Sequence, residues 1–484
     1  MRINFICSAI GIILRYISIM ILVPCIVALI EKDYSSLIPF LVASFVSFLL
    51  GFFLRRNQES LDSLNLIKKS EALFTVSLSW VAISIISAIP YLFYGFSPLD
   101  ALFEATSGIT TTGATILIDF DYPKAMFLWR SLSQWLGGMG IIVLFIAILP
   151  QFRVAGRQMF YAEAPGPTEE KVTPRIRHTA TALWGVYVFL TVLQIGCYVI
   201  AGMAPFDAIC NSLSTLAAGG FSPHAGSIAG YGSNAIIWIT IIFMFLAGAN
   251  FPLQYRVLVQ RKYSALLKSD EFKFYLGISL GLALFVTLAL LLSSDYSFAV
   301  AFRDSVFQVI SIMTTSGFAC VDYTKWALPA KIILFLAMFT GACGGSAAGG
   351  LKIVRVLYVF KYLKTEIIKI LHPNAVLPIK IDRNIISEEV GKQIMSFVVF
   401  YFFIFALSAF AVSIIEQNIV VGLTGSIAAL GNVGPAFGVL GPYETFAVLH
   451  PTTKMIFIIT MLVGRLELIP FLAMLHFDFW KIKQ

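Results

Sequence analysis

Ten apolar stretches, each close to the length of a bilayer-crossing helix and nearly free of charge, decide what this chain can fold into. They cover residues 4–30, 37–54, 72–95, 124–149, 180–203, 234–256, 274–293, 329–350, 393–415 and 454–476. A hydrocarbon core of about 30 Å needs about 20 apolar residues per helix, and in lipid only helices and closed barrels satisfy their own backbone. A mean hydropathy of +0.87 with 12% charged residues points the same way and excludes a water-soluble enzyme. The first stretch is too long for a signal-peptide core, and Glu31-Lys32-Asp33 follows it instead of a small-residue cleavage site. It is expected to remain as a membrane helix.

Charge sets the expected orientation. Segments 55–71, 151–178, 256–273 and 352–392 hold 22 Lys and Arg, whereas the alternate connections hold six: Lys32, Lys124, Arg303, Lys325, Lys331 and Lys454. By the positive-inside rule the rich segments and both termini face the cytoplasm, as an even number of spans requires. The external connections carry twelve acidic residues against those six bases. The formal net charge of +8 therefore conceals an acidic outer face that concentrates cations, and nothing in it asks for nucleic acid. Six cysteines and five histidines are scattered without C-x-x-C or H-E-x-x-H spacing, and no G-x-G-x-x-G or P-loop occurs. No cofactor and no metalloenzyme centre is expected.

The chain repeats itself. Four longer external connections, 96–123, 204–233, 294–328 and 416–453, each open with a short half-apolar stretch and then reach a small-residue cluster. The clusters are Thr110-Thr111-Thr112-Gly113, Ala217-Ala218-Gly219-Gly220, Thr314-Thr315-Ser316-Gly317 and Gly431-Asn432-Val433-Gly434, with final glycines 107, 97 and 117 residues apart. Thirteen residues before the final glycine stand Asp100, Asp207 and Asp304; nine before, Glu104, Asn211 and Gln308; six before, Ser107, Ser214 and Ser311. The fourth copy has Val421, Gly425 and Ala428 there, so it has diverged or its register is shifted. The unit reads helix, half-helix, glycine-bearing loop, helix. Four units make eight spanning helices in a pseudo-fourfold arrangement, with two helices before them.

Non-helical backbone at membrane depth is tolerated where it lines a water-filled path. Glycine reaches backbone angles closed to other residues, so such loops can turn successive carbonyls toward one axis. Four of them make rings of neutral oxygens able to replace the water shell of a monovalent cation, and the C-terminal dipole ends of the half-helices favour a cation beneath. No acidic side chain lies in the four clusters, which argues against a divalent-ion filter.

The segments T-T-T-G-A-T at 110–115, S-T-L-A-A-G-G-F-S at 214–222, T-T-S-G-F at 314–318 and L-G-N-V-G-P at 430–435 resemble the four filter segments of the Trk/Ktr/HKT potassium transporter superfamily. W-R-S-L-S-Q-W-L-G-G-M-G at 129–140, the glycine-rich run at 341–350 and G-R-L-E at 464–467 extend the likeness over nearly the whole chain. Length and the two extra N-terminal helices make it similar to the TrkH/TrkG branch. The resemblance implies potassium uptake through a gated, channel-like pore, with the filter at Thr111, Thr112, Gly113, Ala218, Gly219, Gly220, Thr315, Ser316, Gly317, Asn432, Val433 and Gly434. Glycine at all four final positions implies preference for potassium over sodium. It further implies a homodimer in the cytoplasmic (inner) membrane, docked by a TrkA-type nucleotide-binding regulatory subunit on the basic segment 352–392.

The run from Gly341 to Gly350 interrupts an apolar helix with five glycines, each unfavourable by about 1 kcal/mol against alanine in a helix. It is expected to unwind. By resemblance Gly341, Gly344, Gly345, Gly349 and Gly350 form an intramembrane gate, with Arg465 as a charged brake beneath the filter; the alternatives are close helix packing and a structural charge. Arg130 is expected to be structural, and Asp100, Asp207 and Asp304 to cap the half-helices.

The expected fold is an all-α polytopic membrane protein of about ten transmembrane helices. Its units are 1–71 (two extra helices), 72–178, 179–272, 273–391 (with the gate) and 392–484. Two rival functions are a sodium-permeable or proton-coupled symporter on this scaffold and, more remotely, a membrane-embedded lipid-modifying enzyme. Coupling calls for acidic relays inside the spans, which show almost none, and lipid chemistry for clustered carboxylates or histidines, against which the scatter of the histidines speaks.

Overall fold

The computed structural model describes residues 3–55, 69–140, 176–293, 295–375, 377–382 and 384–466. Within them the regular structure is helical apart from a small antiparallel hairpin, in which Lys380 pairs with Ile385 and Ile381 with Asn384, and an isolated bridge between Thr340 and Leu351. Six of these helices are long and apolar enough to cross a membrane: Ile3–Ile30, Tyr34–Leu54, Ser70–Leu92, Ala180–Ile200, Asp270–Ser293 and Glu388–Glu416. Their outer faces stay apolar, with Phe403 and Phe410 61% and 68% exposed, a surface suited to acyl chains and not to water. The fold is that of a helical polytopic membrane protein.

Two expected spans differ from continuous helices. Residues 234–256 form two pieces, Asn234–Gly248 and Phe251–Leu258, that meet at 108°. The break has local causes: the Asn250 side chain caps the second piece by accepting from the Leu253 N–H at 2.9 Å, and Pro252 sits in its first turn. The stretch 329–350 is helical only over Leu328–Ala337, and the glycine-rich run beyond it is unwound. The described parts of 124–149 and 454–476 are the helices Lys124–Gly138 and Pro451–Arg465. Glu467 and most of the basic segments 55–71 and 151–178 lie outside the described residues.

Four half-helices stand where the repeat requires them: Pro98–Ile109, Pro205–Leu216, Phe298–Met313 and Ile419–Leu430. Their 12 to 16 helical residues rise about 18–24 Å, too little to cross the core, so each must turn back. Their starts are built differently. Ser97 accepts from the Asp100 N–H and donates to its carboxylate at 2.8 Å, whereas Asn418 accepts from both Val420 and Val421. Asp100 and Asp207 lie in first turns, but the cap residues there are Ser97 and, with no side-chain bond, Ala204; Asp304 lies well inside its helix, ion-paired to Arg303 at 2.7 Å, so the expected capping role fails for all three aspartates.

The two N-terminal helices pack face to face. A Cβ on Gly11 would lie 2.8 Å from the Gly51 carbonyl oxygen, and one on Gly51 would lie 2.7 Å from that of Gly11. Ser47 and Ser44 donate across the same seam to the Leu14 and Ser18 carbonyls at 2.7 and 2.8 Å. Small residues let the backbones touch, which is how helices associate where lipid supplies no hydrophobic drive.

Candidate functional site

All four half-helices end in one backbone pattern. The N–H groups of Thr112, Gly219, Ser316 and Val433 reach back to the carbonyls of Ser107, Ser214, Ser311 and Ala428 at 2.8–2.9 Å, the closure of a Schellman turn. The residue before each, Thr111, Ala218, Thr315 or Asn432, holds a positive φ of 54–57° without being glycine. Such a conformation costs about 1–3 kcal/mol, more readily borne where the surroundings fix it. Gly113, Gly220, Gly317 and Gly434 follow with φ of 70–95°. The fourth copy therefore shares the register of the others, although its side chains upstream do not.

These glycines close a ring. A Cβ on Gly113 would lie 2.0 Å from the Gly219 carbonyl oxygen, one on Gly220 2.1 Å from that of Ser316, one on Gly317 2.3 Å from that of Val433, and one on Gly434 2.5 Å from that of Thr112. The order runs first to second to third to fourth and back to first, each loop pressing its glycine on the neighbour's backbone. Only glycine fits such contacts. A solvent-open cleft with about 480 Å³ of empty space lies where the chain leaves the loops, lined among others by Gly113, Thr115, Gly220, Ser222, Gly317 and Glu444.

Buried polar side chains brace the ring from behind. Arg130 Nε donates to Glu104 at 2.8 Å, its other nitrogens reach Thr115 Oγ1 and the Ser222 carbonyl, and Glu104 also accepts from the Ile116 N–H at 3.0 Å. This bears out a structural Arg130 and joins the exits of the first two loops. Asn432 Nδ2 donates to Thr112 Oγ1 at 2.9 Å and to the Met461 carbonyl at 3.0 Å, closing the seam between fourth and first loops. Gln134 Nε2 donates to the Gly219 carbonyl at 2.6 Å. No sequence spacing marks these long-range partners.

The glycine-rich run meets the ring from the opposite end of the loops. The Gly349 N–H donates to Thr315 Oγ1 at 2.8 Å, and a Cβ on Gly349 would lie 2.7 Å from the Gly431 carbonyl oxygen. Its remaining backbone bonds go largely to the break in helix 234–258. The Cys343 and Ala347 N–H groups donate to the Gly248 and Ala247 carbonyls, Asn250 Nδ2 donates to the Gly344 carbonyl, and the Phe251 N–H donates to that of Gly345. Two irregular segments thus satisfy each other's backbone groups. Gly345 and Gly350 turn the run with φ of 70° and 67°, and the Gly341 N–H closes it on the Leu351 carbonyl at 2.7 Å. Arg465 clasps the assembly: it donates to the Ala347 carbonyl in the run and to the Gly137 and Gly138 carbonyls at the end of helix Lys124–Gly138, where the dipole favours a cation.

The TrkH family model, a cation transport protein, matches residues 40–478. The chain belongs to this family. It is 36% identical over 491 residues to the Trk system potassium uptake protein TrkH of Salmonella typhimurium (strain LT2), covering 99% of this chain and 100% of that protein. To the Trk system potassium uptake protein TrkG of Escherichia coli (strain K12) it is 33% identical over 477 residues, 96% of each. The crystal structure of the potassium transporter TrkH from Vibrio parahaemolyticus matches with a TM-score of 0.87 at 31% identity, covering 99% of this chain and 100% of that one. This TrkH-family chain is therefore a transporter and not an enzyme.

Proposed function

We propose that this TrkH-family protein takes up potassium through the ring of four loops, with the carbonyls and hydroxyls of 111–113, 218–220, 315–317 and 432–434 as its filter. The observation that carries the reading is the cyclic contact of Gly113, Gly220, Gly317 and Gly434 with the next loop's backbone. Neutral oxygens around an axis replace the hydration shell of a monovalent ion, and no carboxylate stands in these loops to favour a divalent one. The run Gly341–Gly350 and Arg465 form the gate in this reading, since a fixed positive charge and a bonded loop beneath the ring oppose cation passage.

The finer assignments belong to the same proposal. The protein resides in the cytoplasmic membrane with both termini inside, on the strength of the 22 basic residues in alternate segments. Its repeats run over 72–178, 179–272, 273–391 and 392–484 after the two helices of 1–71. It works as a homodimer with a TrkA-type regulatory subunit on its cytoplasmic face. Rubidium or potassium uptake by the protein in liposomes, with and without that subunit, tests the reading.

A further inference from the structure

Gln134 is fully buried on the helix Lys124–Gly138, inside a motif whose other members serve packing, the Arg130 network and the Arg465 clasp. Its Nε2 donates to the Gly219 carbonyl at 2.6 Å, and its Oε1 accepts from the Phe221 N–H at 3.1 Å. A side chain of the first repeat thus holds the backbone of the second loop on both sides of Gly220. The grip is close: a Cβ on Gly219 would lie 2.5 Å from Gln134 Cδ.

This grip breaks the symmetry of the ring. The carbonyls of Thr112, Gly219, Ser316 and Val433 take equivalent places, each against the preceding loop's glycine. Gly219 alone among these four accepts a hydrogen bond within the described residues. We infer that Gln134 is a specificity-determining positioning residue, which weakens one corner of the ring and so biases it toward potassium over sodium. The inference rests on the proposed ion path through the ring. A carbonyl oxygen with the positive end of an N–H at 2.6 Å exerts a weaker pull on a cation. Ion preference follows the number and field strength of the oxygens, and weaker oxygens discriminate against the small ion that is harder to dehydrate.

The experiment measures sodium, potassium and rubidium flux through the full-length protein in liposomes for wild type, Gln134→Met and Gln134→Glu. The first replacement keeps the length of the side chain and removes both polar atoms; the second keeps the acceptor toward Phe221, and its carboxylate offers no donor to Gly219. Each is expected to raise the sodium-to-potassium ratio about three- to tenfold, the scale of one neutral hydrogen bond. A role in packing alone lowers all three fluxes together and leaves the ratio in place. An unchanged ratio in either conducting variant overturns the inference, as does loss of all flux in both. Absence of potassium flux in the wild type contradicts the ion path itself.

Discussion

The Arg130 guanidinium lies 2.8 Å from the Glu104 carboxylate, with side chains only 2% and 0% exposed, and the pair joins the exits of two loops that are 107 residues apart in sequence. Leaving one member of a buried pair alone strands a charge, at about 3–5 kcal/mol, whereas replacing both by apolar groups can be nearly neutral. Arg130→Met and Glu104→Leu are each expected to lower thermal stability in detergent by that amount. The double variant is expected to lose less than the sum of the two.

The ring contacts separate two kinds of glycine. Gly113 and Gly95 have positive φ values of 81° and 86°, but a Cβ on Gly113 meets the Gly219 oxygen at 2.0 Å and one on Gly95 meets nothing within 4 Å. Gly95→Ala is expected to cost about 1 kcal/mol in stability and leave selectivity unchanged. Gly113→Ser is expected to displace the second loop and raise sodium permeation relative to potassium, read from the shift of reversal potential.

Much of this was legible in the sequence. Apolar length gave the helices, and the glycine clusters gave the four loops. The register of the fourth copy was not, because what unites it with the others is backbone: Asn432 and Gly434 repeat the φ pattern while Val421, Gly425 and Ala428 have lost the side chains. The break at 249–250 had a local signal in Asn250 and Pro252 that the hydropathy of 234–256 outweighed. Gln134 and Asn432 act through partners 85 and 320 residues away, which no spacing rule reaches.

Arg465 donates to three carbonyls drawn from two repeats, so its removal frees the glycine-rich run from helix Lys124–Gly138. Arg465→Ala is expected to raise potassium flux severalfold. A flux equal to or below wild type, in protein of normal stability, places the brake elsewhere.

Thr315 links the ring of loops and the glycine-rich run through one bond, its hydroxyl accepting from the Gly349 N–H at 2.8 Å. Thr315→Ser preserves the acceptor and is expected to gate as wild type. Thr315→Val removes it, leaves a buried amide unpaired at about 1–3 kcal/mol, and is expected to raise the open fraction in single-channel or tracer records.

The central claim is that the ring conducts potassium down its electrochemical gradient. The direct measurement is potassium and rubidium uptake into liposomes holding the purified protein, with and without the proposed TrkA-type subunit, under imposed potassium and proton gradients. The expected result is uptake that follows the potassium reversal potential and ignores the proton gradient, driven by about 2.3 kcal/mol per charge per 100 mV. Absence of flux under every condition, or a reversal potential set by protons or sodium, contradicts it.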